Sequence, residues 1–148
     1  MYIDTLSEFA DDVAIGAGTG RRLLGNVYPL GANTIDPGHG SSPFIVIQAS
    51  EDFASAGAAT VEIELVSDDA AAIATDGSAT VHFSTGARDH SQIVKGDYLA
   101  VFKLPQGNYE PFLGVIANVG TAALTGGKIN AFMTLHEPSW RAYPDGQK

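Results

Sequence analysis

The sequence predicts an all-β chain of sandwich or barrel type, and three observations carry the prediction. No stretch of a dozen residues holds an amphipathic helical stripe, short apolar runs recur with a period of two, and clusters of Gly, Pro, Asn and Asp separate those runs. Such a succession of short strands and turns suits two sheets stacked face to face or one sheet closed on itself.

The strands expected in order are Leu23 to Leu30, Pro43 to Ala49, Thr60 to Ser67, Ala79 to Ser84, Tyr98 to Leu104, Phe112 to Val119 and Lys128 to Leu135, with shorter pieces joining them. "TVEIELV" is the cleanest. Val61, Ile63 and Leu65 point one way and Glu62 and Glu64 the other, which predicts one buried and one solvated face. The same alternation places Val81 and Phe83 inward and His82 outward. In the last strand Ile129, Ala131, Met133 and Leu135 share a face. The expected core is therefore Val61, Ile63, Leu65, Val81, Phe83, Ile129, Met133 and Leu135.

Turn residues punctuate these runs: Asp76-Gly77 suits a tight hairpin, and Gly96-Asp97 and Gln106-Gly107-Asn108 suit other turns. Residues 31 to 42, "GANTIDPGHGSS", read as a long flexible loop, and residues 137 to 148, "EPSWRAYPDGQK", as an extended tail. The expected organisation is one domain, a sandwich over 1–136 followed by the tail at 137–148. "SDDAAAIATDG" is rich in alanine, so its first half is expected to form a short helical turn or an irregular edge strand.

Composition bounds the function. The 148 residues carry 8 basic and 17 acidic side chains, a net charge of -9, and only Arg21-Arg22 are adjacent among the cations. A polyanion needs a cationic cluster, so nucleic acid is not an expected partner. Cysteine is absent, which excludes disulfides and thiolate metal sites. The opening "MYIDTLSEFADD" is acidic where a secretory signal is basic, and no apolar run approaches the roughly 18 residues of a membrane span. Synthesis in the cytoplasm and no membrane partner are the expectation.

Several stretches imitate chemistry. "GVIANVGTAALTGGKINAFMTL" ends a glycine-rich stretch in lysine, but a phosphate-binding loop needs Ser or Thr after the lysine and a helix behind it. Here Ile129 follows Lys128, and the residues beyond alternate as a strand, so Gly126-Gly127 is expected to be the bend of a hairpin. "GAGTGRRL" spaces Gly16, Gly18 and Gly20 wrongly for a dinucleotide fingerprint and reads as a loop. His39, His82, His90 and His136 stand on separate segments without zinc-site spacing. Arg88, Asp89, His90 and Ser91 are too close in sequence to form a hydrogen-bonded triad, and no G-x-S-x-G elbow occurs. Asp68, Asp69 and Asp76 lack the alternating ligands of a calcium loop. No metal and no cofactor is expected, and no catalytic residue is assigned.

The tail differs in kind. Trp140, the one tryptophan, lies with Tyr143 between Pro138 and Pro144. Prolines stiffen the free segment and the aromatics offer large apolar area. Trp140, Arg141 and Tyr143 are the expected partner-binding residues, with folding back onto the chain's own sandwich as the equal alternative.

Five stretches resemble the small cement, or decoration, proteins of tailed bacteriophage heads. They are "TLSEFADDVAI", "GNVYPLGA", "ASEDFASAGAATVEIELVSDD", "LPQGNYEPFLGVIANVGTAALTGGKINAFMTL" and "WRAYPDG". The resemblance covers most of the chain and rests on structural patterns. It implies a jelly-roll-type β-sandwich that binds the outer face of the capsid, bridges major capsid subunits, and associates with itself as a dimer or other small homo-oligomer. It implies a virion protein and not an enzyme. Two other functions have stated discriminators. A carbohydrate-binding sandwich would need aromatic platforms in a polar groove, and a cupin-like enzyme would need clustered histidines and carboxylates.

Overall fold

Alternating branched side chains build antiparallel ladders along most of the chain. The structure, a computed structural model, describes residues 5–31, 36–37, 39–40 and 42–136. The strands are β1 (Glu8–Ala14), β2 (Gly20–Pro29), β3 (Phe44–Ala49), β4 (Ala54–Ser55), β5 (Thr60–Asp68), β6 (Thr80–Ser84), β7 (Arg88–Asp89), β8 (Tyr98–Lys103), β9 (Phe112–Gly120), β10 (Leu124–Gly126) and β11 (Lys128–Thr134). Among the described residues, helix is limited to single 3-10 turns at Thr5–Ser7 and His90–Gln92.

One sheet has the order β1-β11-β3-β8 and the other β2-β9-β5-β6, with β7 added to β5. The eight longer strands thus divide four and four, and the chain changes sheet at every step except β5 to β6. That path is a jelly roll. The hairpin expected around Gly126-Gly127 is corrected here. β9 and β11 lie in different sheets, and β10, paired with β4, carries the chain between them.

The interior lies between the sheets. Ile45, Ile47, Ile129 and Ala131 face Val61, Ile63, Leu65 and Val115, all at most 1% exposed. Each buried Ile or Leu stabilises the fold by about 1.5–3 kcal/mol. At one margin β1 comes so close to β2 that a Cβ on Gly25 would stand 1.9 Å from the Phe9 carbonyl oxygen, and Gly25 has φ +62. Only glycine fits there. At the opposite margin Phe83 of β6 stacks on Phe102 of β8, centroids 3.8 Å apart.

Four expectations are corrected. Val81 is 44% exposed although Phe83 reaches the interior. The register explains it: Phe83 pairs with Leu65 but Val81 pairs with Val66, so His82 is an extra residue and the two flanking side chains fall on opposite faces. Leu135 is 74% exposed because β11 ends at Thr134. Residues 69 to 79 form neither helix nor strand. Finally, the outer face of β5 is not solvated. Ile73 and Ala79 of that connection close over Val66 and Ile116, with Leu23 and Val27 alongside, as a second apolar cluster. Met133 and Phe83 of the expected core are half-buried, and the other four are buried.

The covering loop has specific anchors. The Asp68 carboxylate accepts from the Ala74 N–H at 2.8 Å, and Asp76 accepts from both the N–H and the hydroxyl of Ser78. Gly114 makes the room beneath, since a Cβ there would meet the Ile73 Cδ1 at 2.5 Å.

The outer face of the four-stranded sheet is different. Phe132, Val46 and Val101 stand in one cross-strand row, with Phe44 and Lys103 beside it. Val46 is 0% exposed and Phe132 7%, yet neither belongs to the two apolar clusters.

Candidate functional site

The densest polar constellation gathers Ser67, Thr80, His82, Tyr109 and Glu110 at one end of the five-stranded sheet. β5 supplies Ser67 near its last turn of pleat, the extra residue of β6 supplies His82, and the segment entering β9 supplies Tyr109 and Glu110. Ser67 Oγ lies 2.8 Å from His82 Nε2 and donates to Glu110 Oε2 at 3.1 Å, while the Glu110 N–H donates back to it at 3.2 Å. Thr80 donates to Glu110 Oε1 at 3.1 Å. The His82 ring stacks on Tyr109 at 3.9 Å, and the Tyr109 hydroxyl donates to the Pro105 carbonyl at 2.6 Å.

A serine, a histidine and a carboxylate in contact invite comparison with a nucleophilic triad. In a triad the imidazole accepts the serine proton and the acid holds the other ring nitrogen. Here the carboxylate contacts the serine. Because a carboxylate only accepts, the Ser67 proton points at Glu110, and His82 Nε2 must carry a hydrogen and donate to Oγ. The imidazole is therefore a donor to Ser67 and not its base. Ser67 is also 0% exposed. With one bond donated and two accepted, its hydroxyl is satisfied, and the constellation ties residues 105–111 to β5 and β6.

Electrostatics agree. Burial holds His82 below its ordinary value, against the opposing pull of Glu110. Burial, with a smaller contribution from the charge of Asp36, pushes the Tyr109 phenol up to about 12. Both rings are thus kept neutral at physiological pH.

A second polar group lies on the outer face of the same sheet. Arg21 Nη1 donates to Glu64 Oε1 at 3.2 Å and Arg21 Nη2 lies 2.5 Å from Glu64 Oε2. Glu64 is 6% exposed, which corrects its expected solvated position. Burial raises its carboxyl above the usual range while Arg21 acts in the opposite sense. Asn118 and Ser84 both donate to the neighbouring Glu62.

The remaining motifs resolve into structural ties. Lys128 starts β11, donates to Asp12 at 2.9 Å and lies 3.6 Å from Glu51, so two carboxylates already neutralise the ammonium. The bond to Asp12 raises the Lys128 ammonium and lowers the Asp12 carboxyl. A cavity of about 210 Å³ beside it is lined by Ala14, Gly16, Glu51 and Leu124, among others. That is below the roughly 300–1,000 Å³ of most small-molecule sites. In the glycine loop Arg22 Nη1 donates to the carbonyls of Ile15 and Ala17, each at 3.0 Å. The Arg21-Arg22 pair is therefore engaged within the chain. Asp89 caps the second 3-10 turn by accepting from Ser91.

The four histidines are not brought together, and among the described residues no three of His, Asp and Glu are placed to share a metal ion. Among these residues no helix is long and apolar enough to cross a membrane. Trp140, Arg141 and Tyr143 lie outside the described residues, as does much of the loop 31 to 42. One described contact of that loop is the Asp36 carboxylate accepting from the Gly107 N–H at 3.3 Å. Sequence reasoning missed the Ser67–His82–Glu110 group, whose members lie 15 and 28 residues apart with no local signature. The one available signal was a histidine interrupting the apolar alternation of "TVHFS".

No curated protein matches the chain. The model of the Bbp16 family matches residues 10–133, from β1 to the end of β11, and so takes in both sheets, the polar constellation and the covering loop. The chain belongs to the Bbp16 family, which is phage-related.

Proposed function

We propose that this chain is a structural virion protein that binds the outer face of a phage head and stabilises contacts between major capsid subunits. The observation that carries the reading is the phage-related family assignment across residues 10–133. The resemblance to head decoration proteins supplies the finer role, and the chemistry of the fold suits it. Buried and half-buried polar side chains are engaged in internal ties, as in Ser67 with Glu110 and Arg22 with the carbonyls of Ile15 and Ala17. A jelly roll held this way presents rigid surfaces.

The partners of this reading are the major capsid protein and further copies of the chain. Individually weak contacts suffice, because a shell repeats each one many times and linked contacts reinforce one another. The negative exterior, at -9, disfavours nonspecific contact with other acidic surfaces. The test is thermal release of DNA from heads assembled with and without the chain. Coated heads are expected to hold their DNA to a higher temperature, and equal release from both would reject the stabilising role. Selective binding on a glycan array, with no binding to heads, would favour the carbohydrate alternative.

A further inference from the structure

The cavity of about 210 Å³ beside Lys128 is walled by separate parts of the chain, and each part is tied down. One wall is residues 14–17, held by the Ile15 N–H donating to the Gly127 carbonyl at 3.1 Å and by Arg22 donating to the carbonyls of Ile15 and Ala17. The other is β10 with the start of β11, where the buried Leu124 gives the lining an apolar side chain. Glu51 brings a carboxylate. Its neighbours are anchored, since the Ser50 N–H donates to the Lys128 carbonyl at 2.9 Å and the Asp52 carboxylate accepts from the Lys95 N–H at 2.7 Å. Gly126 leaves the space that Glu51 uses, because a Cβ there would stand 3.3 Å from Glu51 Oε1.

Charge decides what such a cavity takes. Lys128 donates to Asp12 at 2.9 Å and lies 3.6 Å from Glu51 Oε2, longer than a hydrogen bond. One ammonium thus faces two carboxylates. Lys95, which also helps to lower the Asp12 carboxyl, is offset by Asp52. A negative charge is left over, and the Glu51 side chain, 47% exposed, has room to accept further bonds. An anion is disfavoured despite the run Gly126-Gly127-Lys128, because the lysine is already engaged and Glu51 lines the same space.

We propose that this cavity receives an arginine side chain of a partner protein, with the guanidinium on Glu51 and the aliphatic stem against Leu124. At about 210 Å³ the space is too small for most whole ligands and suits a single side chain. Arginine fits better than lysine, because its planar fork pairs with both oxygens of a carboxylate and it is the more weakly hydrated cation. The site stands on the chemistry of the cavity and is independent of the capsid role.

The probe is N-acetyl-arginine methylamide, titrated into the full-length protein and followed through the amide resonances of residues 14–17 and 124–128. Saturable shifts confined to those segments are expected, with the uncharged isostere N-acetyl-citrulline methylamide binding at least about fivefold more weakly. Glu51→Gln should weaken the arginine probe by a similar factor. Lys128→Met should act in the opposite sense and tighten it, since the competing ammonium is gone, and far-ultraviolet circular dichroism checks that both variants fold. Absence of shifts, equal binding of the citrulline probe, indifference to Glu51→Gln, or failure of a folded Lys128→Met to tighten binding would each overturn the proposal. So would inorganic phosphate moving the same amides, the mark of an anion site.

Discussion

The two sheets turn unlike faces outward. Over the five-stranded sheet, the connection 69–79 brings its own apolar residues, Ile73 and Ala79, and seals Val66 and Ile116 beneath them. Polar ties at Asp68 and Asp76 shape that cover, and an ion pair, Arg21–Glu64, is sunk beside it. Over the four-stranded sheet, Val46 and Phe132 of the row Phe132–Val46–Val101 are buried outside both of those apolar clusters, and Val101 is 37% exposed. The difference teaches that burial of one face can be local, supplied by a loop between adjacent strands.

The comparison can be broken most forcefully at the ion pair. Glu64→Ala leaves the Arg21 guanidinium without its partner and is expected to cost about 3–5 kcal/mol, read from urea unfolding. The double variant Arg21→Met with Glu64→Leu should recover most of that loss, because apolar residues of similar volume avoid the desolvation of both charges. If it does not, this face depends on the charges themselves. Ile73→Ala opens a cavity under the loop and should cost about 2–5 kcal/mol. A loss below about 0.5 kcal/mol would mean that the loop rides on the sheet without sealing it.

Gly114→Ala sharpens the same point from beneath, since the new methyl must displace Ile73 and Leu23. Overpacking of about 1–3 kcal/mol is expected. His82 adds a pH signature. Its folded value lies below 6.5, so the folded state resists a proton that the unfolded chain accepts. Its contribution is therefore complete above pH 6.5 and is lost as pH falls through the lower folded value. His82→Gln, which keeps a donor for Ser67, should flatten the dependence of the urea midpoint on pH in that window. An unchanged slope would assign the dependence to other groups. The smallest effect is expected at Val81→Thr, within about 0.5 kcal/mol, since the side chain is largely in water.

Much of the jelly roll was legible from alternation alone. "TVEIELV" and "KINAFMTL" announced β5 and β11 because branched residues recur at a strict period of two. β1 was not announced, since "EFADDVA" carries three acids and its ladder slips twice, with Asp12 at φ +49. The inward placement of Val81 failed for a related reason. Periodicity assumes an unbroken ladder, and one extra residue reverses every inference beyond it. Glu64 read as solvated because a sequence window cannot see that Arg21, 43 residues earlier, lies across the sheet from it. The Ser67–His82–Glu110 tie depends on three separate elements, and its existence follows only from the topology.

The extra residue in β6 has a further consequence at the margin of the molecule. β6 is the last strand of its main ladder, so one side of its backbone has no strand beside it among the described residues. An unbroken strand there would offer a row of N–H and C=O groups on which another chain could continue the sheet. His82 interrupts that row and twists it, as bulges on margins do. Deleting His82, unlike replacing it, would rejoin Val81 and Phe83 into a regular ladder with their present faces kept. The shortened protein would lose the His82 contacts with Ser67 and Tyr109 and some stability with them, and it would be stickier, prone to zip margin to margin when crowded. By general sheet physics, the insertion that aims an imidazole at Ser67 also makes this margin a poorer template for a second sheet.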